Sequence, residues 1–346
     1  MDATVSDENR RRKIQWIEFS ECLKLSLVIY METAAELGMS GAAIEKDLWV
    51  CFVLSIIFSD SNMKDIFRFK GGTSLSKAYG LIHRFSEDID LILDWRKLGF
   101  SKDEPWQKRS NTAQDKFNKE ANTKAALYIR NKIFPIFRDA IRKSLEAEPD
   151  LIINPIDPQT IIFRYPNVFK SQYLSPSVRL EIGPLASWTP TENRPIQPYI
   201  ADVFPEVFSE MSFIVETVLP ERTFWEKATV LHHEANRPLD SIMPARYARH
   251  YYDLFMMTKS DVKDKAFRNL QLLDDVIAFK TKFYPRKWAE YEKAVPATIR
   301  IVPPKERIAY LMEDYENMKE MLFGKKPSFR EILEGLEQHE NEMHKL

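Results

Sequence analysis

Between Phe67 and Asp94 the chain reads FRFKGGTSLSKAYGLIHRFSEDIDLILD, and few folds can accommodate that order of residues. The segment opens as a strand, turns at Gly71-Gly72 and enters a helix near Thr73 or Ser74. Gly80, suited to the left-handed residue that closes a helix, is where that helix is expected to end. Without a Cβ the backbone at the turn can come close to a ligand. The free N–H groups of the first helical turn then point at an anion, Thr73 and Ser74 add hydroxyl donors, and Lys77 adds a positive charge one turn on. A second strand follows. Residues two apart on a strand share a face, so Asp88 and Asp90 project together while Ile89 and Leu91 face a core. Adjacent carboxylates raise each other's pKa unless a cation sits between them. The simplest use of the pair is a divalent-metal site completed by the phosphate oxygens of a substrate. Each half alone is commonplace, a turn or a solvated strand end. The joint pattern is far more specific.

Helical spacing dominates before this segment. Ile14, Ile17, Leu23, Leu25, Ile29 and Leu37 recur along residues 8–65, and Glu45 to Phe58 forms a second, more apolar helix. After the segment, β-type runs recur at Ile161 to Tyr165, Val178 to Ile182 and Phe213 to Val218, with a long polar helix from about Gln107 to Leu145 ahead of them. Helices return from Arg222. Prolines 190, 195, 198 and 205 mark Thr189 to Pro205 as a linker or an active-site flap, and the charged tail from Leu336 and Glu337 onward is expected to fray. Strands interrupted by helices imply an α+β chain, mixed α/β in layout. Its expected divisions are N-terminal helices over residues 1–65, a sheet domain over 66–218 and a helical domain over 219–346.

Composition excludes several classes. With 44% hydrophobic and 12% aromatic residues and a net charge of −1, the chain has ample core material and is not a disordered polyelectrolyte. The longest apolar run, Leu48 to Phe58 with Ser55 inside it, falls well short of the roughly 20 residues that span a bilayer. The opening residues MDATVSDENRRRK carry no apolar core after their charges and do not read as a secretory signal. Cys22 and Cys51 make no disulfide framework, which points to a reducing, cytoplasmic compartment. Neither has the setting of a nucleophile. His232-His233-Glu234 lacks the H-E-x-x-H spacing of a zinc protease, and no Walker A loop, G-x-S-x-G elbow or G-x-G-x-x-G turn is present.

The stretch KGGTSLSKAYGLIHRFSEDIDLIL resembles the signature of the AbiEii/AbiGii nucleotidyltransferase toxin family, a branch of the DNA polymerase beta-like nucleotidyltransferases. IEKDLWV upstream, and ERTFWEKATVLHHEA and RYARHYYDL downstream, extend the likeness over most of the chain. The resemblance implies a polymerase beta-like sheet and an NTP substrate held by Gly71, Gly72, Thr73, Ser74 and Lys77. It further implies Mg2+ or Mn2+ on Asp88 and Asp90, and a third carboxylate on a later strand. Glu181 in SVRLEIG is the candidate, although Arg179 and Glu181 also read as an ordinary exposed face; Asp157 is a weaker alternative. Lys227 matches the family's later lysine. In Arg249-His250-Tyr251-Tyr252-Asp253-Leu254 the family's second stretch is matched with one departure, because His250 stands where an acid is expected. Arg249 and Asp253 carry over, with Asp253 orienting Lys227 or the base, or else merely pairing with Arg249 one turn away.

By the same resemblance the chain is the toxin of a bacterial toxin–antitoxin or phage-defence pair, countered by a separately encoded antitoxin and acting on RNA such as tRNA. Residues 107–143 hold ten basic and three acidic side chains, an excess suited to a polyphosphate track or to an ordinary solvated helix. Two rivals remain at this level: transfer to a small molecule or a protein, and a catalytically silent nucleotide-binding module.

Overall fold

The computed structural model describes residues 27–171, 174–187, 189–205 and 212–346. The expected helical positions Ile14, Ile17, Leu23 and Leu25, and Cys22, lie outside these residues. Residues 27–37 are helical. Helix α1, Gly41–Ser59, is capped by the Ser40 side chain accepting from the Ala43 N–H. Almost every residue of α1 is buried, as its all-round apolar character requires, and it lies across β5 and β7 of the sheet.

The described residues form one seven-stranded mixed sheet. Its members are β1 (Phe67–Lys70), β2 (Asp88–Leu93), β3 (Asp150–Ile153), β4 (Thr160–Arg164), β5 (Ser177–Gly183), β6 (Thr191–Ile196) and β7 (Phe213–Val218). The order is β3-β4-β5-β2-β1-β7-β6, so the two motif strands sit near the centre. β1 and β2 are antiparallel with Lys70 opposite Asp90, and β2 and β5 are parallel with Asp90 opposite Glu181. Helix α2, Gly71–Lys77, leaves β1 without a loop, and Gly80 at φ +62° closes its end.

The expected linker over Thr189 to Pro205 is instead β6 and a short helix, α5 (Tyr199–Val203). β6 is an edge strand paired on one side only to β7, which is where a strand tolerates the missing N–H of Pro195. The long polar helix comprises α3 (Asn111–Tyr128) and α4 (Phe134–Leu145), joined by a π-turn at Ile129–Ile133. Pro135 cannot donate the next helical bond, and the widened turn absorbs the mismatch.

From Pro220 the chain is helical: α6 (Pro220–Ala235), α7 (Ala248–Thr258), α8 (Val262–Arg268), α9 (Gln271–Phe283), α10 (Lys305–Asn317) and α11 (Phe329–Met343). The tail does not fray. Ser328 and Glu331 form a capping box at the start of α11, and Ile332, Leu336 and Met343 are fully buried along one face. Buried apolar residues form two clusters, one about the sheet and α1, the other among the C-terminal helices. Leu75 of α2 and Ile82 just beyond it belong to the second cluster, so the motif segment is wedged between the two.

Replacing Leu336 by Ala should lower the free energy of unfolding by about 2–5 kcal/mol in urea titration, as for a core leucine. A loss below about 0.5 kcal/mol would mean that α11 does not pack as described.

Candidate active site

The glycine turn is shaped by what lies against it. Gly71 has φ +82°, and a Cβ there would overlap the Asp90 carboxylate. A Cβ on Gly72 would sit 2.5 Å from the Arg84 guanidinium. No side chain fits at either position, so the backbone itself borders the cavity. The hydroxyls expected beside it are directed elsewhere. Thr73 donates to the main-chain oxygen of Asp88, fastening α2 to β2, and Ser74 donates to Gly71 O at 2.9 Å. Lys77 is likewise directed away from the turn: its ammonium is buried against Asp47 at 2.8 Å and over the Tyr199 ring at 3.5 Å. Two hydroxyls from elsewhere, Ser86 and Thr223, line the cavity instead, and the buried Thr223 Oγ1 has no hydrogen-bond partner.

Asp88 and Asp90 are half-buried on one face of β2, while Ile89 and Leu91 are buried on the other. β5 alternates in the same way: Val178, Leu180 and Ile182 face the core, and Arg179 and Glu181 face the acids. Arg179 bridges them, 3.4 Å from Asp88 and 3.3 Å from Glu181. Burial, with the Asp88 charge adding to it, raises the pKa of Asp90 despite the opposing Lys70. Burial and then Asp88 and Asp90 raise Glu181. Among the described residues no three His, Cys, Asp or Glu side chains converge to hold a metal unaided. Two carboxylates that share a face, Asp88 and Asp90, fit a Mg2+-type ion that takes its remaining ligands from phosphate and water. Asp157 instead accepts from its own loop, from Thr160 Oγ1 at 2.6 Å, beside a second cavity.

The opposite wall is basic and comes from the C-terminal helices. Lys227 of α6 lies 2.6 Å from Asp253 of α7 and 3.2 Å from His250 Nδ1. Arg84 grips the same Asp253 carboxylate with two bonds, at 2.6 and 2.8 Å. Asp253 therefore pairs with Arg84 and Lys227, and Arg249 is left to line the cavity. Burial would raise the Asp253 pKa, but Arg84 and Lys227 outweigh it and hold the carboxyl well below the usual range. Burial, reinforced by Lys227 and Arg249, pushes His250 well down, so at neutral pH it is an uncharged imidazole beside the lysine. A neutral ring thus stands where the resemblance leads one to expect an acid.

Two adjoining cavities result. One of about 210 Å3 borders Gly71, Gly72, Asp88, Lys227 and Arg249. The other, about 430 Å3, opens beyond Asp90 and Glu181. Lys70 and Glu226 stand between them, 4.0 Å apart. Neither Arg84, Thr223 nor Glu226 is marked by any sequence spacing. Arg84 and Ser86 do fall inside the HRFSEDID connector, but a buried ion pair 169 positions apart leaves no local periodic signal. The histidine cluster is structural: Arg300 N donates to His232 Nδ1 at 3.0 Å, and His233 stacks on Trp288 with its pKa pushed by burial down to about 3.

The sequence matches the family model described as nucleotidyl transferase AbiEii toxin, type IV TA system, over residues 53–335. No curated protein matches it. Among solved structures it is similar to MenT4, a nucleotidyltransferase toxin of Mycobacterium tuberculosis H37Rv, at 15% identity and a TM-score of 0.42, over 92% of this chain and 96% of that one.

A depressed carboxyl contributes stability above its unfolded pKa and loses it as pH falls through the folded value. Asp253→Asn should thus destabilise the fold by about 3 kcal/mol at pH 7, and its deficit against the parent should shrink as pH falls below about 4. A pH-independent deficit in urea unfolding would refute the charge argument. Asp90 has the reverse sign: its raised pKa disfavours the folded state once pH passes the unfolded value. In chelator-treated protein, Asp90→Asn should raise Tm at pH 7.5 and leave it unchanged below about pH 4. A lowered Tm at pH 7.5 would contradict the reading.

Proposed function

Because the chain belongs to the nucleotidyl transferase AbiEii toxin family of type IV toxin–antitoxin systems, we propose that it transfers a nucleoside monophosphate from an NTP to an RNA acceptor such as tRNA. The observation that carries this reading is Asp90, with the glycine backbone against its carboxylate on one side and Glu181 in register on the other. The phosphate tail lies in the smaller cavity, against the Gly71-Gly72 backbone, the orphan Thr223 hydroxyl, Arg249 and Lys227. Asp88 and Asp90 would hold Mg2+ or Mn2+, which would offset charge on the phosphates and lower the pKa of the acceptor hydroxyl. Asp253, itself fixed by Arg84, aims the Lys227 ammonium and opposes the burial that lowers its pKa.

In the step itself the acceptor oxygen attacks the α-phosphorus, the bond from that phosphorus to the bridging oxygen breaks, and pyrophosphate leaves. The hydroxyl proton passes to the Glu181 carboxylate, whose raised pKa suits a general base better than an ordinary surface glutamate. Arg179, which bridges Asp88 and Glu181, is the side chain that a cation held on these acids would have to displace.

The acceptor path has support in α3. The acids of this segment are paired locally, Asp115 with Lys119 at 2.7 Å and Glu120 with Lys124 at 2.8 Å. Lys108, Lys116, Arg130, Lys132 and Lys143 remain exposed. The near end of α3 meets the end of α9, where Asn118 donates to Phe283 O at 3.0 Å and Lys282 to Gln107 O at 2.7 Å, and the adjacent Tyr284 lines the larger cavity. An excess of exposed basic side chains on a segment that reaches the cavity rim suits a polyanionic acceptor better than a small molecule. The proposed setting is a bacterial toxin–antitoxin or phage-defence pair with a separately encoded antitoxin, in the cytoplasm. No described helix is long and apolar enough to cross a membrane.

Incubation with labelled NTPs, Mg2+ and total RNA should label RNA, and Asp90→Ala should reduce the labelling by about a thousandfold or more. It should also abolish growth arrest on expression. Full activity in folded Asp90→Ala would sink the metal assignment, and label on protein or a small molecule would sink the acceptor.

A further inference from the structure

Phosphate binding, metal binding and an acceptor arriving at the Tyr284 rim leave the interior of the larger cavity without a role. It adjoins the smaller one through Lys70, Asp90, Glu181, Glu226 and Val230, which border both. When phosphates lie on the glycine backbone and the α-phosphate sits at Asp90, the group hanging from that phosphate must occupy the next space along. At about 430 Å3 that space is large enough for a base and its sugar. Its lining offers apolar surface to a ring, from Val276 and Phe279 of α9, Val230 of α6, Ile182 and Leu185, alongside the polar Asp157 and Gln159.

One end of the slot is polar and unevenly charged. The Glu226 carboxylate is shared by Arg222 at 3.2 Å and Lys70 at 4.0 Å. Lys280 joins them, donating to the main-chain oxygen of Glu226 at 3.1 Å. Two cations therefore share the carboxylate, and the third is held by the main chain beside it. An ammonium carries three N–H donors, and this bond accounts for one of them. Tyr284 is held apart, its hydroxyl donating to Leu185 O at 2.7 Å. Burial, with Lys70, Lys227 and Arg222 adding to it against Glu226, lowers the Lys280 pKa to about 7. Such a poorly compensated cation gains from a neutral oxygen acceptor within hydrogen-bond reach.

We propose that this cavity holds the nucleoside of the NTP, its base lying along Phe279 and Val276, and that Lys280 selects the base by donating to a ring carbonyl. Uracil, cytosine and guanine each present a carbonyl; adenine does not. Lys280 is thus a specificity residue that touches substrate, while Glu226, Arg222 and Lys70 position it. The proposal rests on the phosphate placement above, and its test separates the two.

Equilibrium binding of UTP, CTP, GTP, ATP and inorganic tripolyphosphate, with Mg2+ and no acceptor, is measured on the full chain and on Lys280→Met. The parent should prefer at least one carbonyl-bearing NTP over ATP by about tenfold, and Lys280→Met should weaken that nucleotide to the ATP level. Tripolyphosphate, which reaches only the glycine site, should bind both proteins alike and so also reports that the variant is folded. Lys280→Arg should restore part of the preference. Unchanged NTP affinities in Lys280→Met overturn the proposal. So does a defect confined to the KM for RNA, which would give the cavity to the acceptor. A parent that fails to bind tripolyphosphate, yet loses its base preference in Lys280→Met, would remove the phosphate reading and leave the nucleoside slot standing.

Discussion

The buried carboxylate of Asp253 is the point on which the site depends. It is fully buried and stands between Arg84, from the connector that follows α2, and Lys227 of α6. A lone anion at such depth would be prohibitively unfavourable, so the three groups must stay together. Through Arg84 the cluster lies directly against the glycine turn, since only a residue without a side chain leaves room for that guanidinium. Through Lys227 it reaches the wall that faces the acids. One ion cluster thereby sets the distance between the sheet with its carboxylates and the helices with their cations. A lysine–aspartate pair on neighbouring helices alone would not do this; the arginine from the sheet side makes the connection.

The second anchor is on α1, where Glu45, Lys46 and Asp47 interrupt an otherwise apolar helix and are all buried. Each is matched to a partner. Lys46 pairs with Glu87 at 3.0 Å, one residue before the first acid of β2. Asp47 takes Lys77 and the Tyr199 N–H, and Glu45 takes the Val168 and Phe169 N–H groups. Buried ion pairs add little net stability compared with apolar residues of the same size, but they permit only one arrangement. Here they fix the register of α1 against α2 and the start of β2, the segment whose placement the chemistry requires.

The sequence is legible where its signal is local. Alternation in DIDLIL and SVRLEIG assigns the inward and outward faces of β2 and β5 correctly, and the glycine pair marks the turn. What fails depends on partners far along the chain. Spacing places Lys77 one turn from a phosphate, but an α-helix has several faces and Asp47 lies on a different one. Thr73 and Ser74 resemble ligands because hydroxyls at a helix start commonly bind anions; in this fold they tie the motif to itself. Prolines conceal β6, which is tolerated because it lies at the edge. Charge density conceals the second half of α11, although Leu336 and Met343 stand two helical turns apart. Arg84, Thr223 and Glu226 carry no local mark at all.

The electrostatics of the two walls give a physical reason for this site to bind what it is proposed to bind. On the sheet side, burial and mutual repulsion raise the pKa values of Asp90 and Glu181, so both resist carrying charge. On the helix side, burial lowers those of Lys227, His250 and Lys280, so these resist it as well. The two walls are kept apart by cavity rather than neutralised by contact, apart from the reach of Lys70 to Glu226 and of Arg179 across the acids. A ligand that is only anionic would relieve one wall and burden the other. A cation alone would do the opposite. A polyphosphate carrying a divalent ion satisfies both, with the ion towards the carboxylates and the oxygens towards the lysines, so the unfavourable charge on each wall becomes binding energy for that one combination.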